Sequence, residues 1–386
     1  MKRKAQKMML VAFLAGCLTI GAQLGGATLQ PPRAHPTPSG WLYVGGGGPG
    51  NYSTIQSAIN AASAGDTVFV YAGTYPENIV IGTTITLLGQ NKNTTIIRGS
   101  GAAATVNVTA EKITLKDFTI QNDGTQNGIY TATGSHQFTN DIFTMTSHGI
   151  YLFYSSENIM TNDLFYGNSH TGIFMQVGAN NTISQSQFYN NTDEAMFLTG
   201  CGRTHIERNS IHENGMGIHG YEVTGIFIQN NTIVSNSWGI RFDGAFTVHS
   251  NFNIISFNTI DDNVEGGIHI EHSQFNTIEF NEIQGNGKGI DFKLTGLNTI
   301  TSNNIMSSKV VEIMLTYSLG DHVTHNNINN SQQSLVLLQI TFGFSDAGKN
   351  WWGSKEWPLR RVRPVIGWMI VLPWLMSPLD LNVGPQ

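Results

Sequence analysis

A Gly-Ile pair that recurs roughly every 22 residues constrains the fold of this chain more than any other feature. The interval between successive Ile positions is 21 to 23 residues, apart from one of 28 between Ile240 and Ile268. The pairs are Gly128-Ile129, Gly149-Ile150, Gly172-Ile173, Gly217-Ile218, Gly239-Ile240, Gly267-Ile268 and Gly289-Ile290, with Ala195-Met196 and Val310-Val311 in two further slots. A fixed period of this length predicts stacked repeats, each of which is one structural unit.

A second motif, Asn-x-apolar, has the same period and occurs at Asn140/Ile142, Asn162/Leu164, Asn209/Ile211, Asn231/Ile233, Asn258/Ile260, Asn281/Ile283, Asn303/Ile305 and Asn326/Ile328. We expect these Asn side chains to form an internal ladder, in which each amide hydrogen-bonds the turns of neighbouring repeats. A third motif precedes the second, as in Asn276-Thr277-Ile278. Each repeat therefore contains three short apolar segments separated by polar turns.

Within each segment, apolar and polar residues alternate with a period of two, which is the pattern of a strand. Strands this short cannot bury a face alone, whereas parallel stacking of coils buries a continuous core. The sequence therefore predicts an all-β fold, a parallel β-helix with three sheets and coils of about 22 residues, over residues 45–345.

Both ends of such a solenoid need caps, because they would otherwise expose apolar side chains and strand edges. Tyr52–Ala62 has the pattern of a short capping helix, with Ser53 as the N-cap and one apolar face made of Ile55, Ala58, Ile59 and Ala62. Residues 346–386 are rich in Trp and Pro, and their apolar run from Val365 to Met376 is too short to span a bilayer. We expect this segment to cap the last coil.

Residues 1–27 have the composition of an export signal, with Lys2, Arg3, Lys4 and Lys7 before an apolar run. Leu14-Ala15-Gly16-Cys17 resembles a bacterial lipobox, in which the Cys is lipidated, and cleavage near Gly25-Gly26-Ala27 is the open alternative. Residues 28–44 are predicted to be a Pro/Gly-rich linker. We expect an exported protein at the cell surface, in the periplasm or outside the cell, whose only membrane contact would be a lipid on Cys17 if the lipobox interpretation holds.

The charge of the chain argues against a nucleic-acid partner. Charged residues make up 12% of the chain, the net charge is −6, and there is no basic stripe. Cys201 is the single cysteine outside the signal, so a disulfide framework is excluded and a buried, unreactive thiol is expected. The core must therefore provide the stability.

The opening NYSTIQSAINAASAGDTVFVYAGTYPENIVI, with ITLLGQ and TIIRGSG after it, resembles the N-terminal part of pectin-lyase-like β-helix proteins. The Gly-Ile and Asn-x-Ile coils resemble the NosD-like, or CASH-type, repeat family, and the NWWGS tail is similar to tails of exported members. The resemblance covers about Val44 to Pro378. The resemblance implies a right-handed parallel β-helix and export of the protein.

For activity, the resemblance implies several classes: carbohydrate-active enzymes, carbohydrate-binding surface proteins, and an accessory protein linked to copper-site maturation in nitrous oxide reductase. The polygalacturonase motifs Gly-His-Gly and Arg-Ile-Lys are absent from this sequence, although Asp261-Asp262 is present. The Asp-Pro-His pattern of alginate epimerases is absent too. Neither activity is therefore transferred to this chain.

The residues one and three positions after each Gly-Ile pair are expected to point outward in columns, with neighbours about 4.8 Å apart. The first half of these columns is aromatic, with Tyr130, Tyr151, Phe153, Phe174, Phe197 and Tyr221. The second half collects His219, Arg241, Asp243, His269, Glu271, Asp291 and Lys293, and ends in Glu312 and Met314. The 28-residue interval adds a loop at about Gly244–Asn253, with His249, beside this half.

These columns favour a groove for a polysaccharide or a cell-surface glycan, in which aromatic rings contact sugars and charged groups bind hydroxyls. Asp243, Glu271 and Asp291 are candidates for the paired carboxylates of a glycoside hydrolase. Arg241, His269 or Lys293 could instead serve a polysaccharide lyase, with carboxylates holding calcium. Whether there is catalysis stays open.

Two alternative functions belong to classes other than carbohydrate binding or processing. His219, His269, Glu271 and His272 are a candidate copper site, and the chain's 12 His and 12 Met supply further ligands for a copper-related accessory role. A passive structural or adhesive surface protein would need no site at all. The oligomeric state is left open.

Overall fold

The computed structural model describes residues 40–101, 103–123, 125–245, 247, 249–329, 335–353, 362–370, 375, 377–379 and 381, with the backbone alone for 335–345 and 362–370. The predicted signal with Cys17, and the linker up to residue 39, lie outside the described residues. Strands are numbered β1 to β38 along this described chain. Every strand pairing in it is parallel, and from β2 to β37 the chain returns to the same sheet after every third strand.

The first of three sheets, the Gly-Ile sheet, carries the Gly-Ile pairs. Its strands are β4 (Ile79–Ile81), β7 (Val106–Val108), β10 (Ile129–Thr131), β13 (Ile150–Phe153), β16 (Ile173–Ala179), β19 (Glu194–Gly202), β22 (Met216–Tyr221), β25 (Trp238–Asp243), β28 (Gly266–Glu271), β31 (Lys288–Lys293), β34 (Val311–Thr316), β37 (Leu335–Asp346) and β38 (Val362–Ile370).

The second sheet follows each Gly-Ile strand after a turn. It contains β1 (Trp41–Val44), β2 (Thr67–Val70), β5 (Thr86–Gly89), β8 (Thr114–Lys116), β11 (Gln137–Thr139), β14 (Ile159–Thr161), β17 (Thr182–Ser184), β20 (His205–Glu207), β23 (Phe227–Gln229), β26 (Ile254–Ser256), β29 (Thr277–Glu279), β32 (Thr299–Thr301) and β35 (His322–Thr324), and the end of β37 joins it to the Gly-Ile sheet.

The third sheet closes each coil and is separate from the other two. It contains β3 (Gly73–Tyr75), β6 (Thr95–Arg98), β9 (Thr119–Gln121), β12 (Ile142–Thr144), β15 (Leu164–Tyr166), β18 (Gln187–Tyr189), β21 (Ser210–His212), β24 (Thr232–Val234), β27 (Thr259–Asp261), β30 (Glu282–Gln284), β33 (Asn304–Met306) and β36 (Asn327–Asn329). The predicted three-sheet parallel solenoid is confirmed.

The core consists of inward rows that run from coil to coil. On the second sheet, for example, one row of fully buried residues is Ile206, Ile228, Ile255, Ile278 and Ile300. Identical side chains recur in such a row because each coil presents the same position to the same environment, so stacking buries apolar area without a change of shape.

The predicted Asn ladder is confirmed in the later coils. The Asn258 side chain donates to Ile228 O (2.8 Å), Ser256 O (3.0 Å) and Asn281 Oδ1 (3.0 Å), and its own Oδ1 accepts from the backbone and the amide of Asn231. These bonds satisfy buried backbone carbonyls at the corner of each coil.

In two early coils the predicted ladder residue is wrong by one position. Asn140 and Asn162 lie in turns with φ of 59° and 60°, and the buried ladder residues are Asp141 and Asp163. The sequences Asn-Asp-Ile-Phe and Asn-Asp-Leu-Phe permit two registers, in which either the Asn or the Asp occupies the inward ladder position. Burial of the stacked aromatic rings of Phe143, Phe165 and Phe188 decides between them.

The predicted N-terminal helix is present as α1 (Ile55–Ala61), with Ile55, Ala58 and Ile59 buried. Its N-cap is Thr54 and not Ser53, because the Thr54 side chain accepts the hydrogen bond from Ser57 N. The Glu77 carboxylate accepts two further bonds from the N–H groups of Ile55 and Gln56. The solenoid also begins before residue 45, since β1 lies within the predicted linker.

The coils continue beyond residue 345, where the cap segment was predicted to begin. Asn350 belongs to the ladder, accepting from Asn326 N at 2.8 Å, and Trp352 is buried in the core. β38 pairs with β37 and adds a strand to the Gly-Ile sheet. The capping role of the remaining C-terminal residues stays a prediction.

Candidate functional site

The outward columns of the Gly-Ile sheet have the predicted register over most of their length. The column at position +1 runs through Tyr130, Tyr151, Phe174, Phe197, His219, Arg241, His269 and Asp291 as successive Cα partners. The column at +3 contains Phe153, Gln176, Thr199, Tyr221 and Asp243, and further along pairs Glu271 with Lys293.

The predicted end of the columns is wrong by two positions. Ile290 pairs with Ile313, so Met314 lies at +1 and Thr316 at +3. Glu312 therefore occupies the place of the Gly, points inside, and is fully buried with its carboxylate accepting bonds from the Ser308 backbone and hydroxyl. Val310-Val311 has the sequence spacing of a Gly-Ile pair but does not occupy the position of that pair in the sheet.

The aromatic half of the +1 column is a stack of rings. Centroids are 4.7 Å apart for Tyr151 and Phe174, 5.2 Å for Phe174 and Phe197, and 4.7 Å for Phe197 and His219. Because each ring covers the face of the next, the edges of these rings, and not their faces, are available to a ligand. The stack also stabilises the sheet between coils.

Beside the +1 column, Asp243 of the +3 column binds two of its members, His219 and Arg241. Its Oδ2 accepts bonds from His219 Nε2 (3.1 Å) and Arg241 Nε (2.8 Å). The other ring nitrogen of His219, Nδ1, lies 3.2 Å from Glu194 Oε1. Although burial opposes ionisation, the bonds from His219 and Arg241 lower the pKa of Asp243 to about 2.

Glu271 and Asp291 are each paired with a lysine. Lys293 Nζ is 2.8 Å from Glu271 Oε1, and Lys288 Nζ is 2.6 Å from Asp291 Oδ2. Against the opposing effect of burial, these lysines and His269 lower the pKa of both carboxyl groups.

His269 lies at the centre of this charged cluster, which we define as His219, Arg241, Asp243, His269, Glu271, Asp291 and Lys293. Its side chain is only 8% exposed. Its Nε2 is 4.0 Å from Asp243 Oδ1 and 3.6 Å from Glu271 Oε2, and its Nδ1 is 3.4 Å from Asp291 Oδ2. The cluster thus unites all the predicted catalytic residues.

The predicted copper ligands are brought together only in part. Both ring nitrogens of His219 are engaged by Glu194 and Asp243, and His272 Nε2 lies 3.7 Å from the lysine-bound oxygen of Glu271. Asp243, His269 and Glu271 instead place three potential ligand atoms within 4.8 Å of one another. From the predicted loop, His249 lies beside the cluster, since its Nδ1 is 2.6 Å from the His272 carbonyl oxygen.

Sequence reasoning missed a third outward column, two positions before each Ile. It supplies Glu194, Trp238 and Lys288 to the cluster. The Trp238 ring lies 5.1 Å from the His269 ring and covers Gly266, where an added Cβ would be 2.1 Å from the indole. Period-two alternation from positions +1 and +3 does not identify this column, because the Gly and the Ile of each pair both face the core.

Two family models match the chain, one described as "Right handed beta helix region" over residues 102–255 and one as "Periplasmic copper-binding protein (NosD)" over residues 222–341. Together with the three-sheet solenoid, these matches decide the family.

The chain is a NosD-like right-handed β-helix protein of the pectin-lyase-like superfamily.

Solved structures similar to this NosD-like protein share its fold at low sequence identity. The A-module of Azotobacter vinelandii mannuronan C-5 epimerase AlgE6 has a TM-score of 0.63 and 17% identity, over 84% of this chain and 95% of that one. The catalytic unit of the GH87 α-1,3-glucanase from Streptomyces thermodiastaticus has a TM-score of 0.60 and 16% identity, over 81% and 69%.

A third similar structure, DFA-IIIase from Arthrobacter chlorophenolicus, has a TM-score of 0.61 and 12% identity, over 88% of this chain and 98% of that one. No curated protein has significant sequence similarity to the NosD-like chain. Within its described residues, no helix is long and apolar enough to cross a membrane.

Proposed function

We propose that this NosD-like β-helix protein is exported and binds a polysaccharide along the outward face of the Gly-Ile sheet. The observation that carries the proposal is the contact between Phe197 and His219, whose stacked rings join the aromatic column to the charged cluster in one continuous strip. A strip parallel to the solenoid axis suits an extended polymer. The epimerase and the glucanase with similar folds are named for acting on mannuronan and α-1,3-glucan.

Within this strip, the half-exposed groups are those that would bind sugar. The side chains of Lys293 and Arg241 are 46% and 31% exposed, so each can bind an additional ligand oxygen while it holds a carboxylate. The edges of the aromatic rings would line the other end. We assign recognition to these charged and polar groups, because the ring faces are already covered.

If the polymer is also processed, the electrostatics favour a lyase over a glycoside hydrolase. A hydrolase needs a carboxylic acid with a raised pKa as its proton donor, whereas the pKa values of Asp243, Glu271 and Asp291 are all lowered. His219 would be the proton donor, since its hydrogen bonds to Asp243 and Glu194 raise the pKa of its ring against the effect of burial.

A glycan array with the purified protein, run with and without calcium, tests the proposal. The variant Asp243→Asn/His269→Gln/Glu271→Gln should lose binding to the glycans that the parent protein binds. The matched control is His205→Gln/Glu207→Gln/Glu279→Gln, which likewise changes one His and two carboxylates, on the outward side of the second sheet. Absence of glycan binding by the parent, or equal binding by both variants, would reject the proposal.

A copper-related accessory role is the second candidate, favoured by the match to the NosD family model and by the group formed by Asp243, His269 and Glu271. Imidazole and carboxylate ligands fit Cu²⁺, but this group has no sulfur for Cu⁺. Copper content after equilibrium dialysis tests this role, and absence of uptake removes it. Loss of both candidates would leave the passive surface role.

A further inference from the structure

We propose that Asp243, His269 and Glu271 bind one divalent first-row metal ion, such as Zn²⁺ or Mn²⁺. The site shares these side chains with the proposed polysaccharide strip, but metal binding to them can be measured without a glycan and does not require a copper-related role. It rests on how the carboxylate oxygens of Asp243 and Glu271 are shared between the surrounding cations and His269.

Each of the two carboxylates has one oxygen held by cationic neighbours and the other directed at His269. Asp243 Oδ2 is bound by His219 and Arg241, which leaves Oδ1 4.0 Å from His269 Nε2. Glu271 Oε1 is bound by Lys293, which leaves Oε2 3.6 Å from the same nitrogen. Three ligand atoms from two adjacent strands thus converge on one point.

One polar atom at this point is buried and unsatisfied. In the part of the chain that the structure describes, Asp243 Oδ1, which faces His269 Nε2, has no hydrogen-bond partner. The His269 side chain is more than nine-tenths buried. Burying a polar atom without a partner costs free energy, so Asp243 Oδ1 points to a bound group that satisfies it.

The surroundings of His269 favour a metal ion over a proton as that group. Asp291 Oδ2, 3.4 Å from Nδ1 and fixed by Lys288, would hold the proton on Nδ1 and so leave the Nε2 lone pair facing Asp243 and Glu271. A carboxylate behind a ligating imidazole is the usual outer-shell arrangement of metal sites.

The size and ligand types of the site also fit. Metal–N and metal–O bonds of about 2.0–2.2 Å place tetrahedral ligand atoms roughly 3.4 Å apart, so the oxygens that lie 3.6 Å and 4.0 Å from His269 Nε2 must move closer to it by about 0.2 and 0.6 Å. Both carboxylates supply anionic oxygen ligands. One imidazole with two carboxylates selects borderline divalent ions over Cu⁺, which prefers sulfur.

Equilibrium dialysis of EDTA-treated protein against Zn²⁺, Mn²⁺ or Cu²⁺, with metal measured by mass spectrometry, tests the proposal. We expect one equivalent of at least one of these ions. Asp243→Asn, His269→Gln and Glu271→Gln should each weaken binding by at least about tenfold. His205→Gln and Glu279→Gln, on the second sheet, should leave it unchanged.

A more conservative variant separates loss of metal binding from misfolding of the protein. Lys293→Met keeps all three ligands but frees Glu271 Oε1, and should weaken binding by about 10–100-fold with an unchanged circular dichroism spectrum. Uptake below one tenth of an equivalent for all three ions, or equal uptake by Asp243→Asn and the parent protein, would overturn the proposal. Because no glycan is present, either result leaves polysaccharide binding to be judged separately.

Discussion

Asp163 follows Asp141 in the polar ladder, and its Oδ1 accepts a hydrogen bond of 2.8 Å from the Asp141 backbone N–H. Both carboxyl groups are buried where the later coils have Asn. Burial raises the pKa of both well above the ordinary value of 3.8, and for Asp141 the charge of Asp163 adds to the effect. Asp163 Oδ2 has no hydrogen-bond partner among the described residues.

We therefore expect Asp163→Asn to raise the free energy of unfolding at neutral pH by about 1–3 kcal/mol, because unfolded Asp163 is ionised there and must take up a proton or bury its charge on folding, whereas an amide does neither. A raised folded-state pKa means that the stability from Asp163 is complete below its unfolded pKa, near 3.8, and is lost as pH rises through the folded value. Urea midpoints from pH 4 to 9 should show a gap that grows with pH. A gap of constant size would contradict this prediction.

Asn258→Ala should destabilise the protein by about 2–4 kcal/mol. The substitution removes an amide that donates to two backbone carbonyls and to Asn281, and leaves buried groups unpaired. Asn329→Ala, at an exposed position of a third-sheet strand, is the control and should change little. Thermal unfolding followed by circular dichroism distinguishes the two; similar midpoints for both variants would mean that the ladder contributes little.

Phe174→Ala should lower stability by about 1–3 kcal/mol and change glycan binding by less than the triple variant of the charged cluster does. The reason is that Tyr151 and Phe197 cover both faces of its ring. Denaturation and glycan titration on the same preparation measure both effects. A large loss of binding at unchanged stability would show that the ring itself contacts the sugar.

Cys201 should not react with a thiol reagent at pH 8 while the protein is folded. Burial raises the pKa of its thiol to about 12, so little thiolate forms. In a Cys17→Ser background, one thiol should become reactive only in denaturant. Rapid modification of the native protein would indicate that the β16 and β19 coils open locally.

The period of the sequence was sufficient to predict the coils, the sheets, the inward Ile rows and the Asn ladder, because each coil repeats the same environment. Where the repeat is degenerate the prediction failed. Asn140 and Asp141 compete for one ladder position, and Val310-Val311 competes with Glu312-Ile313 for one Gly-Ile slot. In each case the choice depends on which side chains stack inside.

The candidate site, too, was predicted only in part from the sequence. The sequence by itself determined which residues face outward on the Gly-Ile sheet, since alternation and register fix the columns that contain Asp243, His269 and Glu271. Only the tertiary structure decided which atoms meet: one oxygen of each carboxylate is taken by Arg241 or Lys293, and the other faces His269. Side-chain torsions and ion pairs across coils set these contacts, and a one-dimensional period contains no information about either.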